Sequence, residues 1–345
     1  MMNRLLRRRE LIVLLLLAVL ALAIGTVSSN FLRPTTLINV ANSSLVLTLI
    51  AVGEMFVILT RGIDVSVGAT TGLAAVILAE ALNAGVSLPL AIVLGLFTGL
   101  AGGTVNAIGV TVFRVSPIIM TLGTLGVYRG AMLLITGGSW IEQIPQSIKS
   151  MAAQRVLEVP VLVWTTLILA IATTIVLRRL KQARYLYAVG DNMEGAYLLG
   201  IPVRATTFSA YCLAGLFSGI AAVVFVAQIG FVPMQTGNGL ELKAVAADVL
   251  GGVSLTGGVG GPLSALVGSL FLTAVDSMLI FLEVPGHWNN AVGGAMLLAV
   301  VLLDYRIRRS VAEQQRRARA QAMTQTRAHR PQTAEPVGAP MEEAR

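Results

Sequence analysis

The chain has 345 residues, of which 55% are hydrophobic and only 12% are charged, and its formal net charge is +8. So few polar residues cannot cover the surface of a water-soluble globule, whereas a lipid bilayer accepts apolar faces directly. The composition therefore excludes an ordinary soluble protein and predicts a multi-pass membrane protein. The basic residues lie at the edges of apolar runs and near the C-terminus, without interleaved aromatics, which favours membrane orientation over nucleic-acid binding. The single cysteine, Cys212, excludes an intrachain disulfide.

About ten apolar segments have the length that crosses the roughly 30 Å hydrocarbon core of a bilayer. In chain order they lie near residues 10–28, 37–59, 64–82, 88–112, 117–136, 158–178, 206–229, 241–256, 262–282 and 287–303. The predicted fold class is all-α, a polytopic membrane helical bundle that occupies residues 1–309.

The first segment has two interpretations. A basic start, an apolar run from Leu11 to Ile24 and the small-residue pattern Ala21-Leu22-Ala23 are typical of a cleavable signal peptide. We expect a retained membrane anchor instead, because the apolar run is long and many further spans follow it.

Basic residues are distributed unevenly between the two sides that these segments define. If the N-terminus is cytoplasmic, the outer side holds few cations, namely Arg33, Lys149, Arg155 and Lys243. The inner side then holds Arg4, Arg7, Arg8, Arg9, Arg61, Arg114, Arg178, Arg179, Lys181, Arg184, Arg204, Arg306, Arg308 and Arg309. The positive-inside rule therefore places both termini in the cytoplasm.

The C-terminal segment has a different composition from the rest. Residues 310–345 are rich in Gln, Arg and Ala and end "PQTAEPVGAPMEEAR". Such a segment cannot bury enough apolar surface to order itself, which predicts a disordered basic cytoplasmic tail.

Glycines recur inside the apolar segments and in two similar turns. Small residues let transmembrane helices approach closely, so we interpret most of these glycines as packing positions. The turns "GIDVSVG" at 62–68 and "GVSLTGG" at 252–258 both separate two apolar runs. If they mark duplicated halves of a transporter, they predict broken-helix elements beside a translocation path.

Several catalytic and nucleotide-binding motifs are missing from the sequence. Gly190 and Gly195 have the spacing of P-loop glycines, but Ala196-Tyr197 stands where Lys and Ser or Thr would hold phosphates and Mg²⁺. The histidines His287 and His329 form no HExxH motif, and no nucleophile elbow is present. We expect no catalytic residues, no metal site and no cofactor in this chain.

Polar and ionisable residues inside the apolar segments are candidates for the solute path, since a charge costs at least about 2.5 kcal/mol at the bilayer centre. The ionisable ones are Glu54, Arg129, Asp248 and Asp276, and Arg129 can reach outward to the interface. A hydrogen bond between helices explains any one polar residue equally well. The candidates for contact with a hydroxylated solute are Asn106, Thr121, Thr124, Gln228, Asn238 and Asp248.

The stretch "YAVGDNMEGAYLLGIPV", Tyr187 to Val203, lies in the longest predicted cytoplasmic loop, at about 179–205. Its Glu194-Gly195-Ala196-x3-Gly200 spacing resembles the EAA loop of ABC importer permeases, with Gly195 in place of the first alanine. Asp191 or Asn192 can cap a short helix here, and Gly200 followed by Ile201-Pro202 can end it. We expect this helix to couple the spans to an ATPase; a passive interfacial helix is the alternative.

Five stretches carry a wider resemblance: "LTRGIDVSVGATTGL", "TLGTLGVYRGAMLLITGGSWIEQIP", "YAVGDNMEGAYLLGI", "AQIGFVPMQTGNGLELKAVAADVLGGVSLTGG" and "WNNAVGGAMLLAVVLLD". They are similar to the ribose/arabinose-type sugar permeases of bacterial ABC importers, and within that family to the permeases that import autoinducer-2. The likeness runs from about residue 10 to 305, and Glu194 and Tyr197 depart from the side chains expected in the coupling loop.

The resemblance implies a permease subunit without an ATPase site, because ATP is bound and hydrolysed by a partner. The implied partners are a second homologous permease in a heterodimer, a cytoplasmic ABC ATPase dimer and a periplasmic solute-binding protein. Three alternatives remain: a permease for ribose or another small sugar, an ion-coupled secondary transporter, and a membrane-embedded sensory subunit. A secondary transporter needs coupling carboxylates such as Asp248 or Glu54 and leaves the predicted coupling loop unexplained.

Overall fold

The computed structural model of the chain describes residues 9–27 and 29–285, together with residues 288, 291–295, 298, 302 and 306. The predicted tail at 310–345 and the cations Arg4, Arg7, Arg8, Arg308 and Arg309 lie outside the described residues. The predicted last span, 287–303, is described only in part. The described residues up to 298 belong to one compact unit.

The described chain is almost entirely helical, as the apolar segments predict. Its helices are α1 (Arg9–Val27), α2 (Pro34–Ser43), α3 (Leu45–Leu59), α4 (Val67–Asn83), α5 (Leu88–Thr111), α6 (Pro117–Thr136), α7 (Gln146–Ala153), α8 (Val161–Arg179), α9 (Lys181–Asp191), α10 (Met193–Leu198), α11 (Val203–Ile229), α12 (Leu240–Gly251) and α13 (Pro262–Phe281). A single 3₁₀ turn at Ser29–Leu32 follows α1, and the two-residue strands β1 (Arg155–Val156) and β2 (Val159–Pro160) form an antiparallel hairpin before α8.

The helices divide into long and short apolar ones. By length and composition, α5, α6, α8, α11 and α13 can each cross a membrane. The pair of α2 and α3, bent by 43° where they meet, passes the same test together and has the form of a broken span or a re-entrant loop. The helix α4 has 17 residues and α12 has 12. At about 1.5 Å per residue α12 is roughly 18 Å long, too short for the hydrocarbon core. The predicted span at 241–256 is therefore a short helix followed by a turn.

The bend between α2 and α3 interrupts the predicted span at 37–59, and it occurs at Ser44. The Ser44 hydroxyl donates to the carbonyl oxygen of Ala41 at 2.8 Å, inside the helical ladder. A serine that bonds back to the preceding turn competes with the helical hydrogen bonds and bends the helix.

The helix α3 lies at the centre of the bundle, with every residue except Val46 buried. It packs against α11, α12 and α13. The helices α6 and α8 lie outside it and leave most of their apolar residues exposed or half-buried. This distribution is typical of a membrane bundle, in which outer helices face lipid or another subunit.

A close helix crossing joins α5 to α11 through glycines. A Cβ on Gly99 would overlap the carbonyl oxygen of Gly215 and lie 2.6 Å from the Gly219 nitrogen. A Cβ on Gly103 would overlap the carbonyl oxygen of Tyr211. Only glycines allow the two backbones to approach this closely, so these glycines are packing positions.

Candidate functional site

The predicted coupling segment folds as two short helices, α9 and α10, and the chemistry of their ends follows from the sequence. Asn192 lies between them with extended backbone angles, and its Oδ1 accepts a hydrogen bond of 2.9 Å from the Gly195 amide. Asn192 is therefore the N-cap of α10, whereas Asp191 ends α9. At the other end Gly200 has φ +76°, and the amides of Gly200 and Ile201 donate to the carbonyls of Tyr197 and Ala196. These paired bonds form a Schellman motif, which ends the helix.

One face of α10 is buried and the rest is exposed. Ala196 is buried against the bundle, while Tyr197, Leu198 and Leu199 are 73%, 79% and 82% exposed. Glu194 is also exposed. Three consecutive large side chains with this exposure form a small apolar surface, and such a surface at the end of a bundle indicates contact with another molecule.

Arg61 fixes the end of α9 to the turn that follows α3. Its Nε donates to the carbonyl oxygen of Gly190 at 2.6 Å, and its Nη2 donates to that of Asp191 at 2.5 Å. These carbonyls belong to the last turn of α9, which has no helical partner for them, so the guanidinium supplies both missing donors. Arg61 thereby joins α9 to the α3–α4 turn.

The second glycine turn reaches the same place from the C-terminal half of the chain. The Gly258 amide donates to the Leu59 carbonyl at 3.1 Å, and the Tyr187 hydroxyl on α9 donates to the Gly260 carbonyl at 3.0 Å. Burial raises the pKa of Tyr187, so its hydroxyl keeps the proton that it donates. A Cβ on Gly190 would overlap the Leu59 carbonyl oxygen and the Gly258 nitrogen. The chain just before the first turn, 62–68, and the chain at the end of the second turn, 252–258, therefore both contact α9.

A cleft of about 1310 Å³ opens beside α10. Its walls come from the α3–α4 turn, the α5–α6 turn, α10 and the start of α11, and three of the lining residues are Arg61, Arg114 and Arg204. The cleft therefore lies between α10 and the turns at this end of the bundle.

Three of the predicted path residues meet in one buried network around Asp64. Asn106 Nδ2 donates to Asp64 Oδ2 at 3.0 Å and to Ser66 Oγ at 2.8 Å, and Thr124 Oγ1 donates to Asn106 Oδ1 at 2.7 Å. Thr121 Oγ1 accepts from the Val65 amide at 3.2 Å. The network ties α5 and α6 to the α3–α4 turn, so these side chains contact other protein groups in this conformation.

The carboxylate of Glu54 belongs to the same region. Its Oε1 accepts from the Asp64 amide at 2.9 Å, whereas Oε2 is buried without a partner. Asp248 on α12 is completely buried, and neither of its carboxylate oxygens has a hydrogen-bond partner.

The other predicted path residues lie apart from this network. Gln228 near the end of α11 donates to the carbonyl and side-chain oxygens of Asn42, at 2.8 and 3.0 Å. Asn238 is exposed in the turn between α11 and α12. The structure therefore does not bring the six candidates together, and their role in a solute path stays a prediction.

Sequence reasoning missed the contacts of three residues that organise these regions, namely Arg61, Asp64 and Tyr187. Arg61 and Asp64 flank and occupy the turn "GIDVSVG", and Tyr187 opens the stretch "YAVGDNMEGAYLLGIPV". The position of these residues in or beside the two quoted stretches was the signal in the sequence that could have identified them. Among the described residues, no cluster of His, Cys, Asp or Glu is arranged to hold a metal ion.

Comparison with known proteins identifies the family. The profile of the family described as "Branched-chain amino acid transport system / permease component" matches residues 36–301. The autoinducer 2 import system permease protein LsrC of Salmonella typhi is 44% identical over 309 residues, which cover 90% of this chain and 89% of that protein. The proteins of the same name from Escherichia coli K12 and O157:H7 are 44% and 45% identical and cover 90% and 87% of this chain. No solved structure matches the chain significantly.

The profile spans most of the helical bundle, from α2 to the partly described last segment, and includes α9, α10 and both glycine turns. The relatives extend the likeness to nine-tenths of the chain. The chain therefore belongs to the permease-component family of the branched-chain amino acid transport systems.

Proposed function

We propose that the chain is the permease subunit of an ATP-driven ABC importer that carries autoinducer-2 across the bacterial inner membrane. The observation that supports this most directly is the 44% identity, over 90% of the chain, to permeases named for autoinducer-2 import. The family description names a different solute class, branched-chain amino acids. The relatives are the more specific guide, because their likeness covers almost the whole of both chains.

The subunit acts by changing conformation and has no chemistry of its own. An ABC ATPase dimer on the cytoplasmic side binds and hydrolyses ATP, and the exposed side chains of α10 dock on it. Movement of α10 reaches α9 through Asn192, and α9 is held by Arg61 and Tyr187 to both glycine turns. A shift of the two short helices is thereby transmitted to α3, α4, α12 and α13, which favours either the outward-open or the inward-open state.

The other partners follow from the same class of transporter. A periplasmic solute-binding protein delivers the solute, and a second homologous permease completes a heterodimer. The exposed apolar face of α6 supports a partner subunit, because three of its glycines, Gly123, Gly126 and Gly130, have open space beside them.

The solute is tested by uptake in cells. Cells that lack this protein should clear added autoinducer-2 slowly while they take up ribose at the normal rate. The measurement is the concentration of each solute remaining in the medium over time, with the gene restored on a plasmid as control. Loss of ribose uptake alone would show that the chain is a sugar permease of the runner-up class.

The energy source is tested in the same cells. Autoinducer-2 uptake should stop when ATP is depleted and continue when a protonophore collapses the proton gradient. The opposite pattern would show an ion-coupled secondary transporter.

A further inference from the structure

Two charged side chains outside the Asp64 network converge on the turn between α11 and α12. Arg129 on α6 donates through Nη1 to the Thr236 carbonyl at 2.8 Å. Glu241, near the start of α12, accepts the Gly239 amide through Oε1 at 3.3 Å. The turn at residues 234–239 thus brings a cation of α6 and an anion of α12 together inside the bundle.

Both side chains keep one polar atom without a partner. Arg129 Nη2 and Glu241 Oε2 are shielded from solvent and make no hydrogen bond. The two charges lie within electrostatic range of each other, but they form no ion pair within 4 Å. Glu241 is 91% buried, being 9% exposed. A buried donor or acceptor without a partner destabilises the fold, so two residues with a purely structural role would be expected to pair these atoms.

The surroundings of the pair are shaped by glycine. A Cβ on Gly68 would overlap Glu241 Oε2 and the Gly237 carbonyl, and a Cβ on Gly72 would lie 2.5 Å from the Thr236 carbonyl. The helix α4 therefore makes room for the turn and for the carboxylate. On the other side, Arg129 lies between Gly126 and Gly130, beside which there is open space. Arg129 and Glu241 consequently lie between the packed helices and the open face of α6.

The spare atoms have complementary hydrogen-bonding character. A guanidinium N–H can only donate, and a carboxylate oxygen can only accept. Hydroxyl groups of one solute can supply both kinds of partner, because a hydroxyl group accepts from Arg129 Nη2 and donates to Glu241 Oε2. Charge-assisted hydrogen bonds of this kind are stronger than neutral ones, and their loss leaves a buried charged group unpaired.

We infer that Arg129 and Glu241 form a polar contact site for a neutral polyhydroxylated solute that passes between α6 and the second permease proposed to face it. The inference rests on the proposed transport function and names two side chains that would contact the transported solute. In the conformation described here both spare atoms are covered, so the site becomes accessible when the path opens.

The test compares two solutes in proteoliposomes that hold the complete transporter with its ATPase and binding protein. Uptake of autoinducer-2 and of an analogue lacking one hydroxyl group is measured for the wild type and for Glu241→Gln and Arg129→Gln. The ratio of the two rates does not depend on how much protein folds or assembles. We expect the wild type to prefer autoinducer-2 by about tenfold or more, and at least one of the variants to lose most of this preference.

A matched control is the partnered pair Lys243 and Asp276, whose Nζ and Oδ2 lie 2.8 Å apart on α12 and α13. Asp276→Asn should leave the ratio unchanged whatever its effect on the total rate. A purely structural role for Arg129 and Glu241 would lower both rates equally in their variants and keep the wild-type ratio, which would overturn the inference.

Failure of the proposed function gives a different result. If the wild-type transporter moves ribose and not autoinducer-2, the assignment of the solute is wrong, and the same ratio is then measured with ribose and 2-deoxyribose. An unchanged ratio in both variants rejects the contact site for either solute.

Discussion

Arg61 connects the end of α9 to the bundle through hydrogen bonds that require a guanidinium group. Its Nε and Nη2 reach two successive carbonyls at the end of α9, and its own backbone has φ +66°. Lysine has one ammonium group and cannot reproduce this fork. At the residue scale, the coupling between α9 and the α3–α4 turn therefore depends on one side chain.

Arg61→Gln should uncouple ATP hydrolysis from transport. The change removes two charge-assisted hydrogen bonds, each worth about 1.5–3 kcal/mol, from a segment that the ATPase must move. We expect solute uptake to fall about tenfold or more, while the purified complex still hydrolyses ATP. The measurement is the ratio of solute transported to ATP hydrolysed in proteoliposomes. Arg114→Gln is the matched control, because it removes a cation of the same cleft, also at positive φ, that does not hold α9.

At the scale of single elements, α10 is a short helix whose two ends are chemically fixed. Asn192→Ala removes the N-cap, which costs about 0.5–2 kcal/mol, and Asn192→Asp keeps it. Gly200→Val forces a β-branched residue to φ +76°, although there is open space beside it. We expect both Asn192→Ala and Gly200→Val to reduce ATPase co-purification and uptake at normal expression, and Asn192→Asp to behave as wild type.

Glu194→Lys tests the exposed surface of the same helix. Reversal of this charge should weaken ATPase association, while the caps and membrane insertion are unaffected. Wild-type transport and ATPase association in Glu194→Lys, Asn192→Ala and Gly200→Val would show that α10 is a passive interfacial helix.

The glycines of two helices should respond differently to the same substitution. Gly99→Ala forces a methyl group into the backbone of α11, an overpacking that costs about 1–3 kcal/mol, so the melting temperature in detergent should fall by several degrees. Gly123→Ala on α6 meets open space within the subunit and should leave the melting temperature unchanged. Equal effects of the two changes would contradict the close crossing of α5 and α11.

The elements and sites differ in how far the sequence could predict them. The bounds and caps of α10 were predictable because Asn192, Gly200 and Pro202 act on neighbouring backbone groups. The partners of Asn106 were not, because Asp64 is 42 residues away and only the packed bundle brings them together. The true length of α12 was missed as well, since the apolar residues after Gly251 belong to a turn that has no helical periodicity signal.

At the scale of the whole molecule, the helix α8 places the α7–hairpin region and the α9–α10 region at opposite ends of one span. This arrangement fits the distribution of basic residues, which predicts the α9–α10 end to be cytoplasmic.

Cysteine labelling in intact cells tests this orientation. After Cys212→Ser, a cysteine at position 150 should react with an impermeant thiol reagent added outside, and one at position 192 should react only after the cells are opened. The labelled fraction at each position is the measurement. Equal labelling of both from outside would reject the predicted topology.

If α10 docks on the ATPase as proposed, the contacts of α9 also decide when a newly made chain can bind that partner. The residues that hold α9 are Arg61, just before the first glycine turn, and Gly258 and Gly260, at and just after the end of the second turn, about 70 residues after α9 itself. A growing chain that already contains α9 and α10 lacks the contacts of Gly258 and Gly260 until residue 260 has been synthesised. We therefore expect truncated or stalled chains to hold α9 incompletely, and the ATPase to bind only chains whose second half has folded.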